Sequence, residues 1–174
     1  MSWLRAGLMA VLLLTAVVLQ LTVLPLFGLP GATPDIVAVT VIGLGFVGGP
    51  VRGSVAGFSA GLLLDLVPPA DGLLGLSAVV LVVVGYLAGL LGQTERSPLA
   101  AVGLTGLLTG GIVLGFALVG GVVADPRVSW DRVPGLLLTQ VAYAVVLAPF
   151  VLALVTWLWR KVDPPPPRYD VGRA

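Results

Sequence analysis

Residues Gly49–Leu66 read GPVRGSVAGFSAGLLLDL, apolar enough to enter a bilayer yet carrying a glycine every four residues and one carboxylate. Gly53, Gly57, Gly61 and Asp65 fall at intervals of four, and because an α-helix turns about 100° per residue they drift slowly around one broad face. A lipid-facing helix has no use for either feature. Glycines open a groove that another helix can enter closely, and a charge at the bilayer centre costs roughly 2.5–3.5 kcal/mol unless a partner or water receives it. The spacing therefore predicts a face that packs against protein.

The rest of the chain places this segment in a membrane. Of 174 residues, 58% are hydrophobic and only 10% charged, and the mean hydropathy is +1.12. Those values lie outside the range of a soluble domain and predict an all-α integral membrane protein. A net charge of +1 gives no reason to expect nucleic acid or an acidic ligand. The absence of cysteine and histidine removes thiol chemistry, disulfides, the usual zinc and haem ligands and every histidine-activated nucleophile. No enzymatic activity, cofactor or metal is expected. The N-terminal run after Arg5 is too long for a signal peptide and has no small-x-small cleavage site, so it reads as a retained first helix.

About 20 apolar residues cross about 30 Å of hydrocarbon, and about 17 can suffice. Four segments meet this: 6–27, 72–92, 98–123 and 133–159. Residues 34–67 are interrupted by Gly48-Gly49-Pro50 and Arg52, and read as two short helices, 35–48 and 51–67, joined by a tight turn. Six transmembrane helices in a compact bundle result. A re-entrant hairpin is the alternative, but it would leave Arg52 inside the membrane. With six crossings, Arg5, Arg52, Arg96, Arg160, Lys161, Arg168 and Arg173 share one side, and only Arg127 and Arg132 lie on the other. The positive-inside rule makes the first side cytoplasmic, with both termini there. Trp3, Trp130, Trp157 and Trp159 fall at span ends, where aromatic residues anchor. The tail, 163–174, contains four consecutive prolines and reads as an extended cytoplasmic segment.

Asp35 follows Thr33-Pro34 at the start of the second helix, where a carboxylate suits the positive end of the dipole. Asp65 lies in the last turn of the third, where the dipole is negative and carbonyls already lack donors. It needs an outside donor. The free amides near Gly72, the side chains of Arg127 or Arg132, and a group on a partner protein are all candidates. By the topology above, Asp35 and Asp65 share the outer end of one hairpin and Arg52 marks its cytoplasmic tip. Paired acids also raise an aspartyl protease, but neither acid has the flanking context of those enzymes. Gln140, Tyr143 and a few threonines are too sparse to trace a proton path. Further glycines, Gly85 and Gly89 in the fourth helix and Gly106, Gly110, Gly111 and Gly115 in the fifth, predict close helix packing. Pro149 is expected to kink the last helix.

The order of these motifs resembles the rod-shape-determining membrane protein MreD family. The resemblance rests on Pro34-Asp35, the Gly-Pro-x-x-Gly turn at 49–53, Gly57-Phe58-x-x-Gly61-Leu-Leu-Leu-Asp65, Gly72-x-x-Gly75 and Gly85-Tyr86-x-x-Gly89. It covers residues 34–89, and the remainder only by size and span count. It implies a six-helix protein of the bacterial inner membrane, similar in fold to the substrate-binding subunits of energy-coupling-factor vitamin transporters. The implied partners are MreC and, through it, MreB filaments, a SEDS glycosyltransferase and a transpeptidase, in cell elongation. The proline-rich loop 67–71 and the polyproline tail depart from the family pattern.

Two functional expectations follow. One is a non-enzymatic scaffold whose glycine face and Asp65, with Gly53, Gly57, Phe58, Gly61, Asp35, Arg52, Gly85, Tyr86 and Gly89, dock or pack a helix. The other is a small-molecule transporter subunit with a ligand cavity, which needs several convergent polar side chains. The spans offer few, and that favours the scaffold.

Overall fold

Pro25 decides where the first helix ends, because it has no amide hydrogen with which to continue the ladder. In the computed structural model, which describes residues 2–28, 31–67, 75–94, 97–122 and 130–163, α1 (Ser2–Thr22) stops short of the expected Phe27. A separate 3-10 turn covers Leu24–Phe27 and closes on Gly28 at φ +54°. The expected span 6–27 is thus made of a helix followed by a turn, and the whole stretch Trp3–Phe27 keeps the length and apolarity of a span. Hydropathy registers the apolar run but not the missing donor.

The remaining helices are α2 (Ile36–Gly48), α3 (Pro50–Leu66), α4 (Leu76–Gly92), α5 (Pro98–Val122) and α6 (Val133–Val162). No strand occurs among the described residues. Three stretches, Trp3–Phe27, Pro98–Val122 and Val133–Val162, are long and apolar enough to cross a membrane. The described part of the expected 72–92 span is shorter: α4 has 17 residues, about 25 Å of helix. Gly75 precedes it at φ +94°, a conformation that ends regular helix for most side chains. The last helix runs three residues past the expected 159 and continues through Pro149.

α2 forms the centre. Its sequence IVAVTVIGLGFVG is apolar all round, and a helix of that kind is stable only when enclosed. Val37 to Gly45 are all buried, and α1, α3, α4, α5 and α6 all pack against it. Its one buried hydroxyl, Thr40 Oγ1, donates to the carbonyl of Ile36 at 2.8 Å and so needs no outside partner. At 13 residues it is about 20 Å long. Gly49 alone joins α2 to α3, ending one helix and beginning the next at φ +84°, and Pro50 occupies the first helical position, where a missing donor does no harm.

The outer surface has the opposite polarity to that of a soluble protein. Leu14 and Val18 of α1, Leu107 and Leu118 of α5 and Phe150 and Leu154 of α6 are all more than half exposed. Apolar surface this continuous requires a cover, and a bilayer supplies it. Inside, α5 and α6 close on each other where Val141 and Val145 fill the space over Gly106 and Gly110, while Gly115 faces Val80 of α4 and Gly111 faces no neighbour.

Candidate functional site

The glycine face of α3 is occupied, and by α4 of the same chain. α3 and α4 form the most extensive helix pair in the molecule. A Cβ placed on Gly53 would fall on the carbonyl of Gly85, one on Gly57 on the carbonyl of Leu81, and one on Gly61 on the backbone of Ala78. The relation is reciprocal: Gly85 meets the carbonyl of Gly53, and Gly89 meets Gly49 and Pro50. Only glycine allows two backbones this close. The sequence leaves open whether a helix of this chain or a partner's enters the groove, and α4 is the helix that fills it. Gly45 joins the contact, with Ala88 Cβ 2.9 Å from the position its own Cβ would take. So does Gly92, against Phe46. Gly45, Gly49, Gly53, Gly57 and Gly61 continue one four-residue period through the turn, a signal present in the sequence once the ladder is followed backwards.

Asp65 finds its donors at the start of α4. Its Oδ2 accepts from the amide of Gly75 at 2.8 Å and of Ala78 at 3.4 Å, and its Oδ1 from the amide of Ser77 at 3.4 Å. One carboxylate thus caps the helix beside its own, satisfying amides that no residue at the α4 N-terminus covers. Of the candidate donors, helix amides are chosen, three to six residues beyond Gly72. Gly72 and Arg127 lie outside the described residues. Glycine packing and carboxylate cap together fasten α3 to α4 along their length.

Asp35 acts as the N-cap of α2, its Oδ1 accepting from Ala38 N–H at 2.8 Å. Gln20 of α1 completes this cap: Oε1 accepts from Val37 N–H at 2.9 Å, and the side chain also bonds to Asp35. Gln20 was not anticipated, because a lone glutamine in an apolar helix gives no hint of which amide it will meet. Replacing Gln20 with leucine is expected to lower stability by about 1–2 kcal/mol, because it removes one acceptor of the Val37 amide and the side-chain bond to Asp35. Thermal unfolding in detergent, with hydrogen exchange at the start of α2, measures it.

The opposite end of the bundle carries the basic residues. Arg52 donates to the carbonyl of Gly48 at 3.3 Å and lies over the ring of Trp159, 5.8 Å from its centroid. Arg5 pairs with Asp163 at 2.6 Å. Lys161 sits 3.7 Å from the ring centroid of Trp157. Arg5, Arg52, Arg160 and Lys161 therefore gather where α1 begins, α2 turns into α3 and α6 ends. Arg96 and the tail beyond Asp163 lie outside the described residues.

Phe58 and Tyr86, by contrast, point outward, each about half exposed. Phe58 borders an open groove of about 450 Å³ between α1 and α3, walled by Met9 and Leu13 on one side and Val55 and Leu62 on the other. Ser59 is its one polar side chain. No group of three or more acidic side chains that would hold a metal exists among the described residues. Polar groups in the interior are few: Thr105 bonds its own helix at Ala101, and Thr109 and Gln140 each bury an oxygen without a partner among the described residues.

No protein-family model, characterised protein or solved structure matches the chain.

Proposed function

We propose that the chain is a non-enzymatic scaffold of the bacterial elongation machinery, a member of the MreD family that helps maintain rod shape. It crosses the inner membrane six times with both termini in the cytoplasm. It links MreC and, through it, MreB filaments, a SEDS glycosyltransferase and a transpeptidase. One observation carries the reading: the residues of the family-like motif form a single mechanical unit. Gly53, Gly57, Gly61, Gly85 and Gly89 share one contact, and Asp65 locks its end. A motif dispersed over unrelated contacts would give the resemblance no such support. The gathering of Arg5, Arg52, Arg160 and Lys161 at one end supports the orientation.

With the glycine face filled, a partner's helix is left the outward faces, where Tyr86 stands with Val79, Val83 and Leu90 of α4. The α1/α3 groove, with Ser59 as its one polar side chain, favours the scaffold over a vitamin-binding subunit, whose ligand needs convergent polar groups. Depletion of the protein followed by microscopy separates the two. The scaffold predicts swollen, rounded cells. Normal rods that fail to take up a vitamin would instead establish the transporter subunit.

A further inference from the structure

The α1/α3 groove and Arg52 together describe a place for one lipid molecule. On α3, Arg52, Val55, Ser59 and Leu62 follow at i, i+3, i+7 and i+10, so one helical stripe carries a cation at its beginning and the groove wall beyond it. On α1 the wall begins at Ala6, immediately after Arg5. Neither arginine lines the groove itself; each precedes the first lining residue on its helix, so a basic end adjoins an apolar length. The two arginines at that end differ. Arg5 is neutralised by Asp163, whereas Arg52, among the described residues, has no carboxylate partner and makes one hydrogen bond, to Gly48. Four of the five guanidinium donors have no partner among the described residues.

We propose that this groove holds an acyl chain of an anionic phospholipid and that Arg52 binds its phosphate. The occupant follows from charge and shape. A partner's apolar helix would gain nothing from an uncompensated arginine at that end, and a zwitterionic lipid would offset its phosphate with its own cation. An anionic headgroup satisfies the guanidinium, whose geometry suits two phosphate oxygens at once. The Trp159 ring beneath Arg52 holds the side chain in place, and the volume of about 450 Å³ lies within the range of small-ligand sites. Exposed Arg160 and Lys161 in the last turn of α6 add positive potential at the same end.

The test uses the full chain, purified in a mild detergent, mixed with equal amounts of phosphatidylglycerol and phosphatidylcholine, and weighed intact by native mass spectrometry. The wild type is expected to retain one phosphatidylglycerol in preference to phosphatidylcholine. Arg52→Gln should reduce that preference about fivefold, and Arg52→Lys should largely keep it. Ser59→Trp, which fills the groove, should lower retention of both lipids, and Ala10→Leu on the facing wall repeats the test if Ser59→Trp does not fold. An unchanged preference in Arg52→Gln, or unchanged retention with the groove filled, overturns the proposal. So does a Ser59→Cys variant that cross-links in native membranes to a second polypeptide. The proposal rests on the membrane placement but not on the scaffold reading, since cell shape and lipid retention are read independently.

Discussion

Gly57→Leu is expected to abolish the cooperative unfolding transition of the purified protein. Even a Cβ at this position would fall on the carbonyl of Leu81. The obstruction is backbone on both sides, so no rotamer change relieves it and the two helices must move apart. Overpacking of a side-chain core typically costs about 1–3 kcal/mol, and a clash with main chain exceeds that range. Separation at Gly57 also loosens the contacts of Gly53 with Gly85 and of Gly61 with Ala78 on either side. For a fold held by about 5–15 kcal/mol this is a large fraction of the total. Gly111→Leu is the control. It places the same side chain on an exposed helical position with no neighbour, where the effect is expected within about 0.5 kcal/mol of zero. Unfolding in detergent, followed by circular dichroism, distinguishes the two. Equal tolerance would mean that α3 and α4 do not touch along this face.

Asp65→Leu is expected to cost about 2–3 kcal/mol, and Asp65→Asn about 1 kcal/mol. Leucine leaves the part-buried amides of Gly75, Ser77 and Ala78 without this acceptor. Asparagine keeps one acceptor oxygen and loses the charge assistance, as expected for a weaker cap. The same unfolding measurement ranks the variants. Faster hydrogen exchange confined to the first turn of α4 is the local signature. If leucine and asparagine behave alike, the carboxylate does not hold α4.

The helix pair was legible in the sequence to a well-defined depth. Glycines at 53, 57 and 61 state that something approaches closely, and Gly85 and Gly89 repeat the statement from the other side. A smooth face does not name its occupant, however, because a helix of the same chain and a partner's helix need the same absence of Cβ atoms. Topology resolves it, since α3 and α4 are successive antiparallel elements and meet without the entropy of bringing in a second molecule. The position of α2 was written in its composition. A 13-residue helix with no polar face has no stable surface position beside longer neighbours. The charges of the hairpin, Asp35, Arg52 and Asp65, draw the eye to its ends and not to this enclosed middle. The two acids are caps, Asp35 of its own helix α2 and Asp65 of α4. The Gln20 cap and the stacking of Arg52 on Trp159 were not legible, since each joins elements far apart in sequence by a single side chain. The end of α1 at Thr22 was missed although Pro25 announces it.

The glycine face of α3 is closed by α4 within one chain, which leaves no room there for a second chain's helix. The absence of cysteine makes this directly testable by placing a pair at Asp65 and Ser77, whose carboxylate oxygen and amide nitrogen lie 3.4 Å apart, and oxidising native membranes. A disulfide within the chain, formed to the same extent in native membranes and in the purified protein, is the result expected. A pair that stays reduced in the isolated protein, while either cysteine alone cross-links to a second polypeptide, would contradict it.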